Sequence, residues 1–332
     1  MNEGKNPICC FIIVSYNSGH YLSSCLRSIQ EQNETDFQVI VVDNNSTDNS
    51  KDAIPLEDPR FTLMDMQKNC GFAQANNLAA AKTKAPYIAT INPDTYLAAN
   101  WLTNMLAAAK PNSQVTALGS ELICMDDHNR WDGMGDAYSI AGFAWRGGHK
   151  KKRVTVPAIA ETFSSCAAAS LYNRAVFMDL GGFDEEYFCY CEDVDLGFRM
   201  RLAGYAILQV NTTFAYHAGS AISGPKSPFS LYHATRNTIW TLFKNMPPAL
   251  LIISLLPHII LNIAKVLFER CHKARAARWR GVWHGFKGAP RIIRKRVINK
   301  SQRRCTVWQL AKRFCWSPVT PLKRGIVLFP PS

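Results

Sequence analysis

Apolar positions in the first third of the chain fall into short runs separated by helical stripes. Ile8 to Ser15 is apolar and β-branched, which predicts a strand. Leu22, Cys25, Leu26 and Ile29 share one helix face. Phe37 to Val42 predicts a second strand, and Ser46 a helix N-cap opening a short helix through Ala53. Phe61 to Met64 predicts a third strand, Phe72 to Ala81 an Ala-rich helix, Tyr87 to Ile91 a fourth strand, and Trp101 to Ala109 another helix. Alternation of this kind predicts an α/β fold with a mostly parallel sheet covered on both faces. Ligands of such sheets gather at the carboxyl ends of the strands.

The residues just after the strands are therefore the ones to weigh. They are Ser15-Tyr16-Asn17, Asp43-Asn44-Asn45 and Asn92-Pro93-Asp94. Asp43 can accept hydrogen bonds from a ribose or a base. Asp94 follows its strand across a proline that fixes the turn. A carboxylate aimed into a phosphate site requires a cation between the two anions. Either carboxylate alone could simply cap a turn. A dinucleotide-binding dehydrogenase would also place an acid after its second strand. Ser15 to Tyr21 holds a single glycine, however, and no G-x-G-x-x-G or P-loop follows.

Further along, Gly181-Gly182-Phe183-Asp184 opens a turn with an aromatic-rich sequel, and Glu192-Asp193-Val194-Asp195-Leu196 follows. Val194, Phe198 and Leu202 recur every four residues, so a helix starts near Glu192. Asp195 and Arg199 are spaced to pair on its surface, a structural role. Glu192 and Asp193 occupy the first turn, where the helix dipole favours the ionised carboxylate. They are either ordinary first-turn acids or a general base in a cleft. His217 ends the β-like run Ile207 to Tyr216 beside Ala218-Gly219-Ser220, and a neutral imidazole there could ligate a metal.

Composition adds a constraint on partners. The 332 residues are 47% apolar, enough for one large domain or a domain with an appendage. Eleven cysteines without zinc-like spacing or a preceding secretory segment read as reduced thiols of a cytoplasmic protein. Of the net charge of +13, the tail from Arg270 onward contributes 17 Lys and Arg with no acid, leaving 21 basic against 25 acidic residues before it. Such a tail suits an anionic partner, and the acidic remainder argues against nucleic acid. Ala249 to Phe268 is apolar but broken by Pro257, His258, Asn262 and Lys265. A spanning helix followed by a cytoplasmic basic tail would put the preceding α/β domain on the far side of the membrane from the cytoplasm. An interfacial segment on the inner leaflet, with tail tryptophans at headgroup level, is expected instead. A packing helix against the domain is the other possibility.

Together the motifs resemble the family 2 glycosyltransferases of the GT-A fold, and among them bacterial rhamnosyltransferase-type enzymes of polysaccharide assembly. The segments are Val14-Ser15-Tyr16-Asn17-Ser18, Val41-Val42-Asp43-Asn44-Asn45-Ser46-Thr47-Asp48, Asn69-Cys70-Gly71-Phe72-Ala73 with Asn76-Asn77, Asn92-Pro93-Asp94, Gly181-Gly182-Phe183-Asp184 and Glu192-Asp193-Val194-Asp195-Leu196. The resemblance, which runs from Val14 to about Gly219, implies a GT-A catalytic domain over about 1–245, its nucleotide half ending near 120; the apolar segment and basic tail make 246–332 a helical, membrane-associating extension. The resemblance also implies that Ser15, Tyr16, Asn17, Asp43, Asn69, Gly71, Asn76, Asn92 and Asp94 surround the nucleotide sugar. Asp94 and His217 would hold Mg²⁺ or Mn²⁺, and Asp193, with Glu192 beside it, would be the base of an inverting transfer. Asn92 replaces the first Asp of the family's D-x-D, a departure shared with rhamnosyltransferase-like members. The implied reaction moves a sugar, best matched by rhamnose from dTDP-rhamnose, to a saccharide or lipid-linked acceptor. A catalytically inactive sugar-nucleotide or lipid-binding scaffold of the same fold is the alternative.

Overall fold

The computed structural model describes residues 6–110, 114–219, 224, 226–296 and 303–331. The first half alternates as the pattern predicts: β1 (Cys9–Ser15), α1 (Gly19–Gln30), β2 (Phe37–Asp43), β3 (Phe61–Asp65), α2 (Gly71–Lys82), β4 (Tyr87–Ile91), β5 (Thr95–Leu97) and α3 (Trp101–Ala109). Strands β3, β2, β1 and β4 lie side by side and parallel, with Ser15 level with Asp43 and Ile13 level with Ile91. Along β1, Cys9, Phe11 and Ile13 enter one hydrophobic cluster while Cys10, Ile12 and Val14 enter the other. A strand buried on both faces has to read as a continuous apolar run.

The second half extends this sheet. It contributes β6 (Val115–Cys124), β7 (Trp131–Gly133), β8 (Asp136–Tyr138), β9 (Ala144–Arg146), β10 (Ile159–Glu161), β11 (Ala169–Asn173), α4 (Arg174–Asp179), α5 (Glu192–Leu202) and β12 (Ala206–His217). The main order is β10-β12-β6-β11-β4-β1-β2-β3, with β11 antiparallel to both neighbours. The far end of β12 pairs with β5, setting His217 level with Thr95. That pairing carries the imidazole to the turn after β4.

Two sequence expectations are corrected here. The short helix after β2 is a 3₁₀ turn, Asn49–Ala53, capped by Asp48, whose carboxylate accepts from Ser50 N at 3.1 Å. Ser46 instead faces backward: its N–H donates to Asp43 Oδ2 at 3.0 Å and its hydroxyl accepts from Asn17 N–H. Asp195 and Arg199 do pair, at 2.9 Å, but both are buried rather than on the surface. Lys244 and Asn245, some fifty positions later, join them at 2.8 and 2.7 Å.

The C-terminal part adds α6 (Pro228–Asn245), α7 (Pro248–Leu267), α8 (His272–Arg294) and the short α9 (Val307–Ala311). Helices α6 and α8 run side by side. A Cβ at Gly281 would come within 2.8 Å of Tyr232 O, and one at Gly285 within 2.7 Å of Ile239, so only glycine permits this approach. One hydrophobic cluster joins Tyr138, Phe163 and Phe198 with Leu242, Met246, Leu250, Leu310 and Phe314, crossing residue 245. Helix α7 is long and apolar enough to cross a membrane by length and composition, with 28% of its apolar window buried.

Candidate active site

The loops after β1 and β2 are locked together. Asn17, in the left-handed region at φ 50°, accepts from Thr47 N–H at 2.8 Å and donates from its own N–H to Ser46 at 3.0 Å. Asp43 sits at the floor of this loop pair, 1% exposed. One carboxylate oxygen takes the Ser46 amide, and the other has no protein partner. A buried acceptor without a donor is costly, so this oxygen suits a ribose hydroxyl or base N–H. Tyr16 beside it is 42% exposed, an open ring face at the strand edge. The Ser15 hydroxyl turns inward onto the Ser18 hydroxyl at 2.6 Å.

Asn69, Gly71 and Asn76 shape the next wall. Asn69 accepts from Gly71 N–H at 2.9 Å. Gly71 has φ +83°, and a Cβ there would meet Phe188 at 2.6 Å, so the turn and the close approach both require glycine. Asn76 is buried in α2, donating to Phe72 O at 2.9 Å, with its Oδ1 unpaired.

Asp94, Asn92 and His217 meet at the next strand ends. Asp94 Oδ1 lies 3.2 Å from His217 Nε2, and Asn92 Nδ2 lies 3.4 Å from the same nitrogen. The other imidazole nitrogen, Nδ1, is held by Asp132 Oδ2 at 2.7 Å. Asp132 also pairs with Arg146 and lies 3.3 Å from His149. Burial alone would raise the Asp132 carboxyl, but Arg146, His149 and His217 outweigh it and hold it well below the usual range. Burial would lower His217, yet Asp94 and Asp132 outweigh that and push it up to about 9. These residues fit a divalent cation. A carboxylate oxygen faces an imidazole nitrogen, and a second carboxylate fixes the far side of the ring, as in ligating histidines generally. A cavity of about 240 Å³ adjoins Asp94, lined by Tyr21, Tyr96, His128 and Tyr216. A larger one, about 760 Å³, lies at the opposite end of β12 beside Ala206 and Arg201, away from the strand ends.

The carboxylates at the start of α5 are set by an unusual lead-in. Phe188, Tyr190 and Cys191 all take positive φ, 66–69°, a conformation costly for such side chains. The buried Asn237 amide compensates by donating to the carbonyls of Tyr187, Cys189 and Tyr190 at 2.7–3.0 Å. Asp193 accepts from Ala167 N–H at 3.1 Å and from its neighbour Val194 N–H at 2.8 Å. It lies in one cluster with Asp136 and Cys166, their ligand atoms all within 4.8 Å. The expectation of freely ionised carboxylates is corrected. Burial raises Asp193 despite the opposing backbone amides, and burial with Asp193 alongside raises Glu192 well above its usual value. Glu192 Oε2 has no partner. Burial and the Asp193 charge push Asp136 up to about 8.

Asp132, Asp136 and Arg146 were not singled out from sequence. They lie in a segment without readable periodicity, and Asp132 meets a histidine 85 positions away. The basic run from His149 to Arg153 is largely committed to protein: His149 to Asp132, Lys150 to Asp126 and Arg153 to Glu121.

Residues 10–181 match the sequence model of glycosyl transferase family 2, just over half of the chain. The chain is 26% identical over 248 residues to an N-acetylglucosaminyl-diphospho-decaprenol L-rhamnosyltransferase of Mycobacterium tuberculosis, covering 67% of this chain and 80% of that enzyme. It is 35% identical over 96 residues to a teichoic acid poly(glycerol phosphate) polymerase of Staphylococcus epidermidis, covering 28% of this chain and only 13% of that much longer protein. Among solved structures it resembles a Pyrobaculum calidifontis mannosyltransferase in complex with GDP-Man and Mn²⁺, with TM-score 0.54, 16% identity, and 93% of this chain and 88% of that one covered. S. aureus TarS in complex with UDP-GlcNAc aligns with TM-score 0.55 and 15% identity over 93% of each chain. At these identities the two structures establish the GT-A fold. With its matched span carrying Tyr16, Asp43 and Asp94, the chain belongs to glycosyl transferase family 2 and is a glycosyltransferase.

Proposed function

We propose that the protein is an inverting, metal-dependent transferase that moves rhamnose from dTDP-rhamnose to a saccharide or lipid-linked saccharide in cell-surface polysaccharide assembly. The observation that carries the metal-dependent part is the Asp94–His217–Asp132 chain, in which the histidine is oriented for ligation. Asp43 and Tyr16 take the nucleoside, and Asp94 and His217 hold Mg²⁺ or Mn²⁺. That cation supplies charge neutralisation for the departing diphosphate. Asp193 accepts the acceptor hydroxyl proton as the acceptor oxygen bonds to the anomeric carbon. The carbon–phosphate oxygen bond breaks with its electron pair leaving on the nucleoside diphosphate. Burial that raises Asp193 makes it a stronger base than an exposed aspartate. Rhamnose as donor sugar rests on the mycobacterial relative's named activity and on Asn92 in place of an acid.

The acceptor side is read as a membrane-borne substrate, with the protein peripheral on the cytoplasmic face of the inner membrane. The basic tail and its exposed Trp279, Trp283, Trp308 and Trp316 support this. The test measures transfer and donor hydrolysis with dTDP-rhamnose, UDP-GlcNAc and GDP-Man, with and without EDTA, for wild type and Asp94→Ala. Metal-dependent turnover of dTDP-rhamnose, lost in Asp94→Ala, is the expected result. Full activity in EDTA removes the metal, preference for another donor removes the rhamnose assignment, and binding without turnover of any donor favours the inactive scaffold.

A further inference from the structure

Helix α7 is amphipathic in the opposite sense to a helix facing water. Its buried stripe, at four-residue spacing, is Leu250, Ser254, His258, Asn262 and Val266, so the middle of the protein-facing side is polar. Most of that polar side is satisfied, His258 Nε2 being buried without a partner. Ser254 donates to Leu250 O at 2.8 Å and Asn262 to His258 O at 2.9 Å. His258 Nδ1 is 2.9 Å from Ala141 O, and its ring stacks on Phe143 at 4.6 Å. The opposite side carries Ile252, Ile253, Leu256, Ile260, Ile263 and Leu267, each 43–79% exposed. At about 100° per residue these six fall within roughly a 100° arc. A contiguous apolar stripe of this length on the outside marks an interaction surface.

The flanking helices fix how such a stripe can meet a bilayer. Helices α6 and α8 run parallel and touch along their length: Gly281 packs on Tyr232, Gly285 on Ile239, and Arg296 donates to Phe243 O at 2.7 Å. Helix α7 joins the end of one to the start of the other, and its buried stripe from Leu250 to Val266 stays against the protein along its length. A bilayer that meets the outer stripe while leaving α6 and α8 in water therefore runs along α7 rather than across it. On α8, Trp279 and Trp283 stand one turn apart at 56% and 61% exposure, among exposed Lys273, Arg275, Arg280 and Lys287. Trp and Lys or Arg in that combination suit an anionic headgroup layer.

We infer that α7 lies flat in the headgroup–acyl boundary of an anionic bilayer, inserting the Ile252–Leu256–Ile260–Ile263–Leu267 stripe, with the cations and tryptophans of α8 at headgroup level. This rests on the peripheral-membrane reading above and assigns it to one surface. His258 grips the Ala141–Phe143 turn, and Arg146 a few residues on grips Asp132, so the docked helix lies one short segment of chain from the residues behind His217.

The test uses the full chain and sealed vesicles of phosphatidylglycerol and phosphatidylcholine, with phosphatidylcholine alone as control. Wild type should float with the anionic vesicles, more weakly at high salt but not lost. Leu256→Glu with Ile260→Glu should cut the bound fraction at least about 10-fold, with the melting midpoint and donor hydrolysis unchanged because both positions already face outward. Trypsin added outside should cut the tail beyond Arg270 and the catalytic domain alike. Flotation of the double variant as well as wild type would overturn the α7 assignment while leaving a peripheral protein. No flotation of wild type would overturn both, and if the stripe instead holds two copies together, wild type will sediment as a dimer that the double variant dissociates. Trypsin protection of the tail would show a spanning helix and overturn the flat one.

Discussion

Asp132 holds the Nδ1 side of His217 while Asp94 faces Nε2, so the imidazole has no freedom to choose which nitrogen it presents. Asp132→Asn keeps the shape but weakens that hold. We expect divalent-cation-dependent binding of dTDP to fall about 10- to 100-fold, the usual cost of losing such a supporting carboxylate. Calorimetric titration of dTDP with Mn²⁺ checks this, and unchanged affinity would mean that His217 is not a ligand. For the base, Asp193→Asn should retain donor binding while the transfer rate drops at least about 10². If Glu192→Gln is the dead variant and Asp193→Asn stays active, the two roles are exchanged. The placement of Asp43, Asp94, Asp193 and His217 at strand ends and a helix start was legible in the sequence, because those elements have readable periods. Asp132 was not, since it lies in a three-residue strand whose place depends on pairing with β6, and no local pattern announces that.

Strand ends explain which elements could be read. Parallel β1 to β4 are buried on both faces and separated by helices, so their periodicity survives in sequence. The short strands β7 to β10 each span three residues, too few for a period, and β10 pairs with β12, Ile159 opposite Val210. The lead-in to α5 was equally opaque. Three residues at positive φ carry side chains that do not favour it, and the compensation comes from Asn237, some fifty positions later. Asn237→Leu is nearly the same size but donates no hydrogen bonds. It should let the Phe188–Cys191 lead-in relax and misplace Asp193, lowering kcat by about 10-fold or more, since positioning errors of this kind are expensive. Donor affinity should hold, because Asp43 and Asp94 lie on other elements. A fall in donor affinity matching the fall in kcat would mean that the variant has disturbed the whole fold.

Across the whole molecule, titratable groups divide into two sets with opposite effects on stability. Asp58, beside Arg60, is lowered to about 2, and Asp195, held by Lys244 and Arg199 against its burial, is lowered as well. Their stabilisation is complete above the unfolded carboxylate range near 4 and is lost as pH falls toward 2. Asp136, raised to about 8 by burial and Asp193, acts in the other direction. The folded state keeps a proton there that the unfolded chain releases above about pH 4. Its favourable contribution is therefore full below pH 4 and is lost as pH climbs through 8, at no more than about 1.4 kcal/mol per pH unit for one proton. His217, raised to about 9, has the same sign but begins to count only above its unfolded value near 6.5. From about pH 5 to 6.5 His217 is charged in both states, but burial lowers His233 and His258 to about 4, so the fold keeps them neutral where the unfolded chain protonates them and their contribution rises with pH. The buried carboxyls pull the melting midpoint of the metal-free, ligand-free protein the other way across that interval. Asp136→Asn cannot titrate and should make the slope of midpoint against pH more positive than in wild type, while its melting midpoint at pH 7 should be no lower than that of wild type. An identical slope in the variant would show that Asp136 is already ionised at pH 5 and that the Asp136–Asp193 pair does not share a proton.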